Sequence, residues 1–204
     1  MIDRLIVSLR ESRPPVDLPR EALARLPGGL AAHLFPGPLV PAAVLVGLVP
    51  RDGGWEVLLT RRTDQLRDHP GQISFPGGRL EAHDEGPRAA ALREAREEVG
   101  IEPRFIDVVG YLPPHAVVTG FAVCPVVAIL RQGFTLQADP SEVAEIFAVP
   151  LAYLLDSANF IAGERTVRGV SLPMYTCQFG SHLIWGATAQ ILHTLRESIH
   201  AADH

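Results

Sequence analysis

The sequence predicts an α/β (α+β) fold in which a mixed β-sheet lies between helices. Three observations carry this expectation. The 204 residues are 47% hydrophobic and 20% charged, enough apolar material for one packed domain with small extensions. Apolar, valine-rich runs and helix-patterned stretches alternate in an irregular order, which favours a mixed sheet over a doubly wound parallel one. Pro and Gly clusters separate these segments at short intervals, as compact domains require.

The elements follow in order. Ile2–Arg10 and Arg20–Leu26 are short helices, separated and closed by Pro14-Pro15, Pro19, Pro27-Gly28-Gly29 and Pro36-Gly37-Pro38. They make residues 1–38 an N-terminal helical appendage packed on a main domain of residues 39–204. Ala42–Pro50 is an apolar buried strand, and Trp55–Arg61 returns beside it after the polar turn Arg51-Asp52-Gly53-Gly54. Gln72–Phe75 is a short strand stopped by Pro76-Gly77-Gly78. A helix spans Pro87 to Val99, with Pro87 near its first position and Gly100 as its C-cap. Phe105–Leu112, Phe121–Leu130 and Glu142–Val149 are strands, the last leading through Pro150 into a helical turn at Leu151–Leu155. Arg165–Leu172 and Met174–Phe179 precede a final helix over Ala187–His200.

Composition removes several classes of function. A formal net charge of −5 argues against a nucleic-acid backbone as the main partner, since that requires a basic stripe. The chain contains no lysine, which excludes a P-loop phosphate lysine and any Schiff-base chemistry. Cys124 and Cys177 lie far apart in strand-like runs and read as reduced, buried thiols. The longest apolar run, Leu39–Val49, is shorter than the roughly 18 residues of a membrane span. The expectation is a soluble, cytoplasmic protein with a small-molecule substrate.

The most informative segment is Arg93-Glu94-Ala95-Arg96-Glu97-Glu98-Val99-Gly100-Ile101. Helical spacing lets Glu94, Glu97 and Glu98 converge on one point, where like charges repel unless a cation lies between them. Mg²⁺ or Mn²⁺ suits such a group, because hard divalent cations take carboxylate oxygens and leave positions for water and phosphate. The plain alternative is a solvated acidic face paired with Arg93 and Arg96, and an acidic protein-interaction surface is its functional form.

The surroundings favour the cation. Gly78 followed by Arg93-Glu94-Ala95-Arg96-Glu97-Glu98-Val99-Gly100-Ile101 resembles the Nudix box, a loop–helix–loop signature of hydrolases acting on nucleoside-diphosphate derivatives. One residue is inserted relative to the usual box, so either Asp84 or Glu85 takes the acidic position at the helix start. Upstream, the run from Val57-Leu58-Leu59-Thr60-Arg61-Arg62-Thr63 through Arg67 to Phe75-Pro76-Gly77-Gly78 is similar to the signature of the coenzyme A pyrophosphatase branch. Thr63 stands where that pattern has Ser or Ala, and the inserted residue is common in that branch. Similarity extends over about residues 40–195, including Glu142–Leu151 and Trp185–Ala189.

The resemblance implies a Nudix fold and metal-dependent hydrolysis of the diphosphate of coenzyme A and its derivatives. It implies Glu94 and Glu98 as metal ligands, Glu97 as a third ligand or the general base, and Arg93 as the residue orienting Glu97. Gly77 and Gly78 let the backbone turn beside the metal. Glu142 is the candidate for a further acidic ligand from a distant loop, with Glu145 as alternate. Arg62 and Arg67, at signature positions, are the candidate phosphate-binding arginines; Arg61 and His69 are open. His69 and His115 read as turn or surface residues, Phe75 as core and Trp185 as apolar filler. The appendage and the final helix are the surfaces offered for a homodimer. The rivals are hydrolysis of another nucleoside diphosphate derivative, such as ADP-ribose or NADH, and a non-catalytic nucleotide sensor on the same fold.

Overall fold

The strand Val40–Arg51 (β1) is buried on both faces, and the whole fold is laid out from it. Its side chains alternate: Ala43, Leu45 and Val49 enter one core, and Ala42, Val46 and Leu48 the other. A computed structural model describes residues 2–66 and 68–203. Arg67, an expected phosphate-binding residue, lies outside the described residues.

Three short helices precede β1: Ile2–Arg10 (α1), Leu18–Ala24 (α2) and Leu30–Leu34 (α3). After it come Gly54–Arg62 (β2), Ile73–Ser74 (β3), Gly77–Arg79 (β4) and the helix Pro87–Val99 (α4). Ile106–Tyr111 (β5), His115–Val117 (β6), Phe121–Leu130 (β7) and Val143–Pro150 (β8) follow, then the short helix Leu151–Leu155 (α5). Phe160–Val167 (β9), Val170–Phe179 (β10), His182–Trp185 (β11) and the helix Gly186–Asp203 (α6) complete the chain.

β1 runs parallel to β7, in register from Val40↔Phe121 to Leu48↔Ile129. On its other side it has two antiparallel partners in succession: β4 along Ala42–Val44, then β2 along Leu48–Arg51. Leu45 N–H donates to the Pro76 carbonyl where the partner changes. β8 extends the sheet beyond β2, and β5 and β6 pair with β7. The result is an eight-stranded mixed sheet, with β9–β11 as a separate antiparallel sheet.

Helices cover both faces of the large sheet. Ala90, Ala91, Ala95 and Val99 of α4 pack with Leu18 and Ala22 of α2 on Ala43, Leu45 and Leu58. Small alanines bring α4 close to the strands, which is how its carboxylates reach the sheet. The opposite core joins Leu5, Ile6 and Leu9 of α1 to Ile191, Leu192, Leu195 and Ile199 of α6. Burying such a residue contributes about 1.5–3 kcal/mol. Gly110 passes under the Leu9 carbonyl, and Ser12 Oγ accepts a 2.8 Å bond from Tyr111 N–H. No helix among the described residues is long and apolar enough to cross a membrane.

Several expectations are corrected. The strand expected over Arg165–Leu172 is cut by a two-residue turn at Arg168-Gly169, both at positive φ (51° and 78°). That geometry matches the twist of a tight hairpin. Pro19 does not bound the second helix but sits inside its first turn, where a missing N–H costs nothing, and Asp17 caps it by accepting from Arg20 N–H at 3.1 Å. Gly77 and Gly78 do not merely stop a strand; they form β4. Helix α3 and strands β6 and β11 are additions that short, weakly patterned segments did not announce.

Candidate active site

The candidate site lies where α4 faces β4. Glu98, one of the few charged residues in the interior, is 4% exposed. Its Oε2 accepts a 3.2 Å hydrogen bond from Gly77 N–H. Burial, and then repulsion by Glu94, push its carboxyl up to about 8, with the Gly77 bond opposing. Glu94, one turn earlier on the same stripe, has a side chain 14% exposed and is also raised, chiefly by burial. Glu142 adds to the repulsion felt by both, and the charge of Arg62 acts the other way on Glu98. This region concentrates negative charge in a partly dry place.

The two glycines make the approach possible. A Cβ on Gly78 would overlap the Glu94 carboxylate, and one on Gly77 would overlap the backbone of Ala43 and Val44. Neither glycine needs a positive φ; both are needed for closeness.

Arg93 is the cationic centre. Its Nε and Nη2 grip Asp84 Oδ1 and Oδ2 at 3.2 and 3.0 Å, while Nη1 bonds Glu94 Oε1 at 2.8 Å and Glu97 Oε2 at 2.9 Å. Nη2 also reaches the Arg79 carbonyl at 3.0 Å. The Asp84 hydrogen bond leads in raising the Arg93 pKa, and the same bond lowers that of Asp84. Of the two acids left open by the insertion, Asp84 makes the fork and has a side chain 3% exposed, whereas Glu85 is exposed.

Arg93 does meet Glu97, as expected, but the three helix carboxylates do not share one point. Glu97 turns outward, 57% exposed, and among the described residues no three His, Cys, Asp or Glu side chains gather tightly enough for a ready metal cage. The physical reason is Arg93, which lies between Glu94 and Glu97 and takes an oxygen from each. Glu94 still feels the charge of Glu97 as well as that of Glu142, and Glu98 feels Glu94 and Glu142.

β2 and β8 supply the other wall. Arg62 is partly buried, and its Nε has no hydrogen-bond partner among the described residues. Arg61 is engaged by Asp64 at 3.5 Å and Glu145 at 3.7 Å. Glu145 also meets His182 Nε2 at 3.1 Å, and the His182 ring stacks on Phe147 at 4.0 Å. Glu145 is thus already engaged by Arg61 and His182. His69 occupies a turn at φ 58°.

Other candidates fall elsewhere. Phe75 is core, 2% exposed. Trp185 is not filler: it lies on the outer face of β11, with the Arg165 guanidinium 5.8 Å from its ring centre. His115 is half-buried in β6, where burial pushes its pKa down to about 4, with Thr194 Oγ1 3.4 Å from Nε2. Cys124 and Cys177 are free and buried, and burial pushes the Cys124 thiol up to about 12. Sequence reasoning missed Asp139, which accepts from Ser141 N–H at 2.8 Å and Ser141 Oγ–H at 2.7 Å just before Glu142. The Asp139-Pro140-Ser141 string was the available signal, a turn pattern adjoining a candidate acid.

The donor set suits a hard divalent cation. It consists of carboxylate oxygens, two of them on a buried helix stripe where mutual repulsion disfavours ionisation without a counter-charge.

The NUDIX domain family matches residues 38–167, and the chain belongs to the Nudix hydrolase family. It is 40% identical over 158 residues to a Photorhabdus laumondii protein named uncharacterized Nudix hydrolase NudL, covering 78% of this chain and 84% of that one. A protein of the same name from Salmonella paratyphi B is 42% identical over 156 residues, with 76% and 80% covered. Among solved structures, the NUDIX domain of Shewanella oneidensis NrtR complexed with ADP ribose shares the fold. Its TM-score is 0.52 at 18% identity, covering 88% of this chain and 97% of that one. Nudix hydrolases generally use divalent metal ions and act on small molecules.

Proposed function

We propose that this Nudix hydrolase cleaves the diphosphate of coenzyme A and its derivatives. Water adds to one phosphorus, the P–O–P bridge breaks, and the water's protons pass to solvent and the departing oxygen. The products are 4′-phosphopantetheine (or its acyl form) and adenosine 3′,5′-bisphosphate. The carrying observation is Arg62. It stands at a signature position on β2, partly buried and close enough to act on Glu98, with an Nε that has no acceptor among the described residues. A phosphate oxygen is an acceptor that fits, through a charge-assisted bond.

In this reading Glu94 and Glu98 hold Mg²⁺ or Mn²⁺, with Glu142 as a further ligand and Glu97 as third ligand or base. A divalent cation there supplies charge compensation for the phosphoryl oxygens and a more acidic attacking water. Arg93 fixes the carboxylates through Asp84, and Gly77 orients Glu98. Arg67 joins Arg62 as a phosphate-binding residue.

Turnover of coenzyme A against ADP-ribose and NADH, with 3′-dephospho-coenzyme A as control, tests the proposal. Preference for coenzyme A is expected; equal or faster turnover of ADP-ribose sinks it. ADP-ribose is the second reading because a domain of the same fold carries that ligand. A non-catalytic sensor would bind these compounds and turn over none.

A further inference from the structure

Glu142 sits on a backbone held at three points, and one residue organises all of them. Asp139 N–H donates to the carbonyl of Glu98 itself at 3.0 Å. The Asp139 carbonyl accepts from Glu142 N–H at 3.1 Å and Val143 N–H at 2.8 Å. The Asp139 carboxylate closes the turn by taking both Ser141 donors. One residue further on, the Glu142 carbonyl accepts a 2.9 Å bond from Thr63 N–H. Thr63 is 7% exposed and follows the irregularity between Arg61 and Arg62 where β2 meets β8. Just upstream, Gln137 N–H donates to the Val99 carbonyl at 3.0 Å, so the loop is docked on the last turn of α4 before Asp139 begins.

We infer that Asp139 is a positioning residue, whose turn fixes Glu142 against the carboxylates of α4 and against the β2 segment that carries Arg62. Exposed glutamates ordinarily sample many rotamers, and an acid intended for a shared cation benefits from a fixed backbone. Asp139 contributes no atom to the charge cluster. It anchors to the main chain of Glu98 and delivers the side chain of the residue three positions on. The catalytic helix and the signature strand are thereby joined through Glu142, so a shift of either is transmitted to that carboxylate. This inference rests on the reading of Glu142 as an acid of the site.

The test is Mn²⁺ binding by the full chain, followed by electron paramagnetic resonance of the free ion, with thermal melts alongside. Asp139→Ala is expected to weaken Mn²⁺ binding about 10- to 100-fold, the range for residues that support a ligand from behind, and Glu142→Gln, which removes the ligand itself, at least as much. The double variant should be no weaker than Glu142→Gln alone. Asp139→Asn, which keeps an acceptor oxygen for Ser141, should bind Mn²⁺ as the parent does. Normal binding by Asp139→Ala beside a weakened Glu142→Gln overturns the inference alone, and so do multiplying losses in the double variant. Asp139→Asn as weak as Asp139→Ala also overturns it, because charge and not the turn would then be responsible. Unchanged binding by Glu142→Gln overturns the Glu142 reading together with the inference. If Asp139→Ala does not fold, Ser141→Ala carries the test: it deletes one of the two bonds, weaker binding supports the clamp, and unchanged binding overturns it.

Discussion

Arg93 and Asp84 are joined by two parallel hydrogen bonds, 3.2 and 3.0 Å long, between a guanidinium 15% exposed and a carboxylate 3% exposed. This fork is the mechanical root of the site. Through it the loop before α4 is tied to the helix, and the remaining Arg93 nitrogen holds Glu94 and Glu97.

Arg93→Ala leaves the buried Asp84 carboxylate without its cationic partner, with the Glu81 N–H still donating to it. The expected loss of folding stability is about 3 kcal/mol, the scale for breaking a buried pair from one side. Arg93→Ala combined with Asp84→Ala should lose less than the two single losses added together. Chemical denaturation of the three variants measures this coupling, and strict additivity would show that the fork is not a unit.

Glu98→Gln should abolish hydrolysis while leaving the fold intact, since the volume is kept and only the anionic oxygen is lost. It should also change how stability depends on pH. The Glu98 pKa is raised to about 8 in the folded chain from an ordinary 4.5, so the folded state holds an extra proton between those values. Stability from this group is therefore full below about 4.5 and lost as pH rises through about 8. With chelator present, the variant should melt above the parent on the alkaline side and level with it on the acid side. Parallel melting curves across the whole range would refute the burial argument.

Gly77→Ala and Gly78→Ala should fail differently. The added methyl at Gly77 meets β1 backbone, which cannot yield cheaply, so a lower melting temperature is expected. The methyl at Gly78 meets the end of the Glu94 side chain, which can rotate away. That variant should keep its fold and lose activity and Mn²⁺ affinity. Melting scans beside turnover assays separate the two outcomes.

Arg62→Ala should raise KM for the diphosphate substrate by about tenfold or more, the scale of a charge-assisted hydrogen bond. Phosphate contacts made equally before and during the reaction act on KM, so kcat should fall less. An unchanged KM would remove Arg62 from substrate binding.

Much of this was legible beforehand, for identifiable reasons. Pro87 and Gly100 bound α4 at the residues where it begins and ends, because helix termini have local chemical requirements. Phe121–Leu130 was equally plain, since a strand buried on both faces is a continuous apolar run. β11 and α3 were not legible: four or five residues carry too little period to be distinguished from loop. Within the site, the helix spacing placed Glu94 and Glu98 together correctly. Spacing alone could not place Glu97, because its direction depends on Arg93, and the reach of Arg93 is set by Asp84 across a loop. The clamp on Glu142 was hidden for a similar reason, since it depends on main-chain bonds to segments far away in sequence.

The exchange of partners along β1 has a consequence for motion. The pairing with β7 on the other side of β1 runs unbroken from Val40 to Leu48, past all of β4 and up to the start of β2, so the strand does not depend on β4 for its place in the sheet. β4 can therefore lift from Ala42–Val44, carrying Gly77 away from Glu98, while the hairpin of β1 and β2 stays zipped. On this side of the one strand, the Ala43 amide hydrogen would then exchange with local breathing and the Val49 amide hydrogen only with global unfolding.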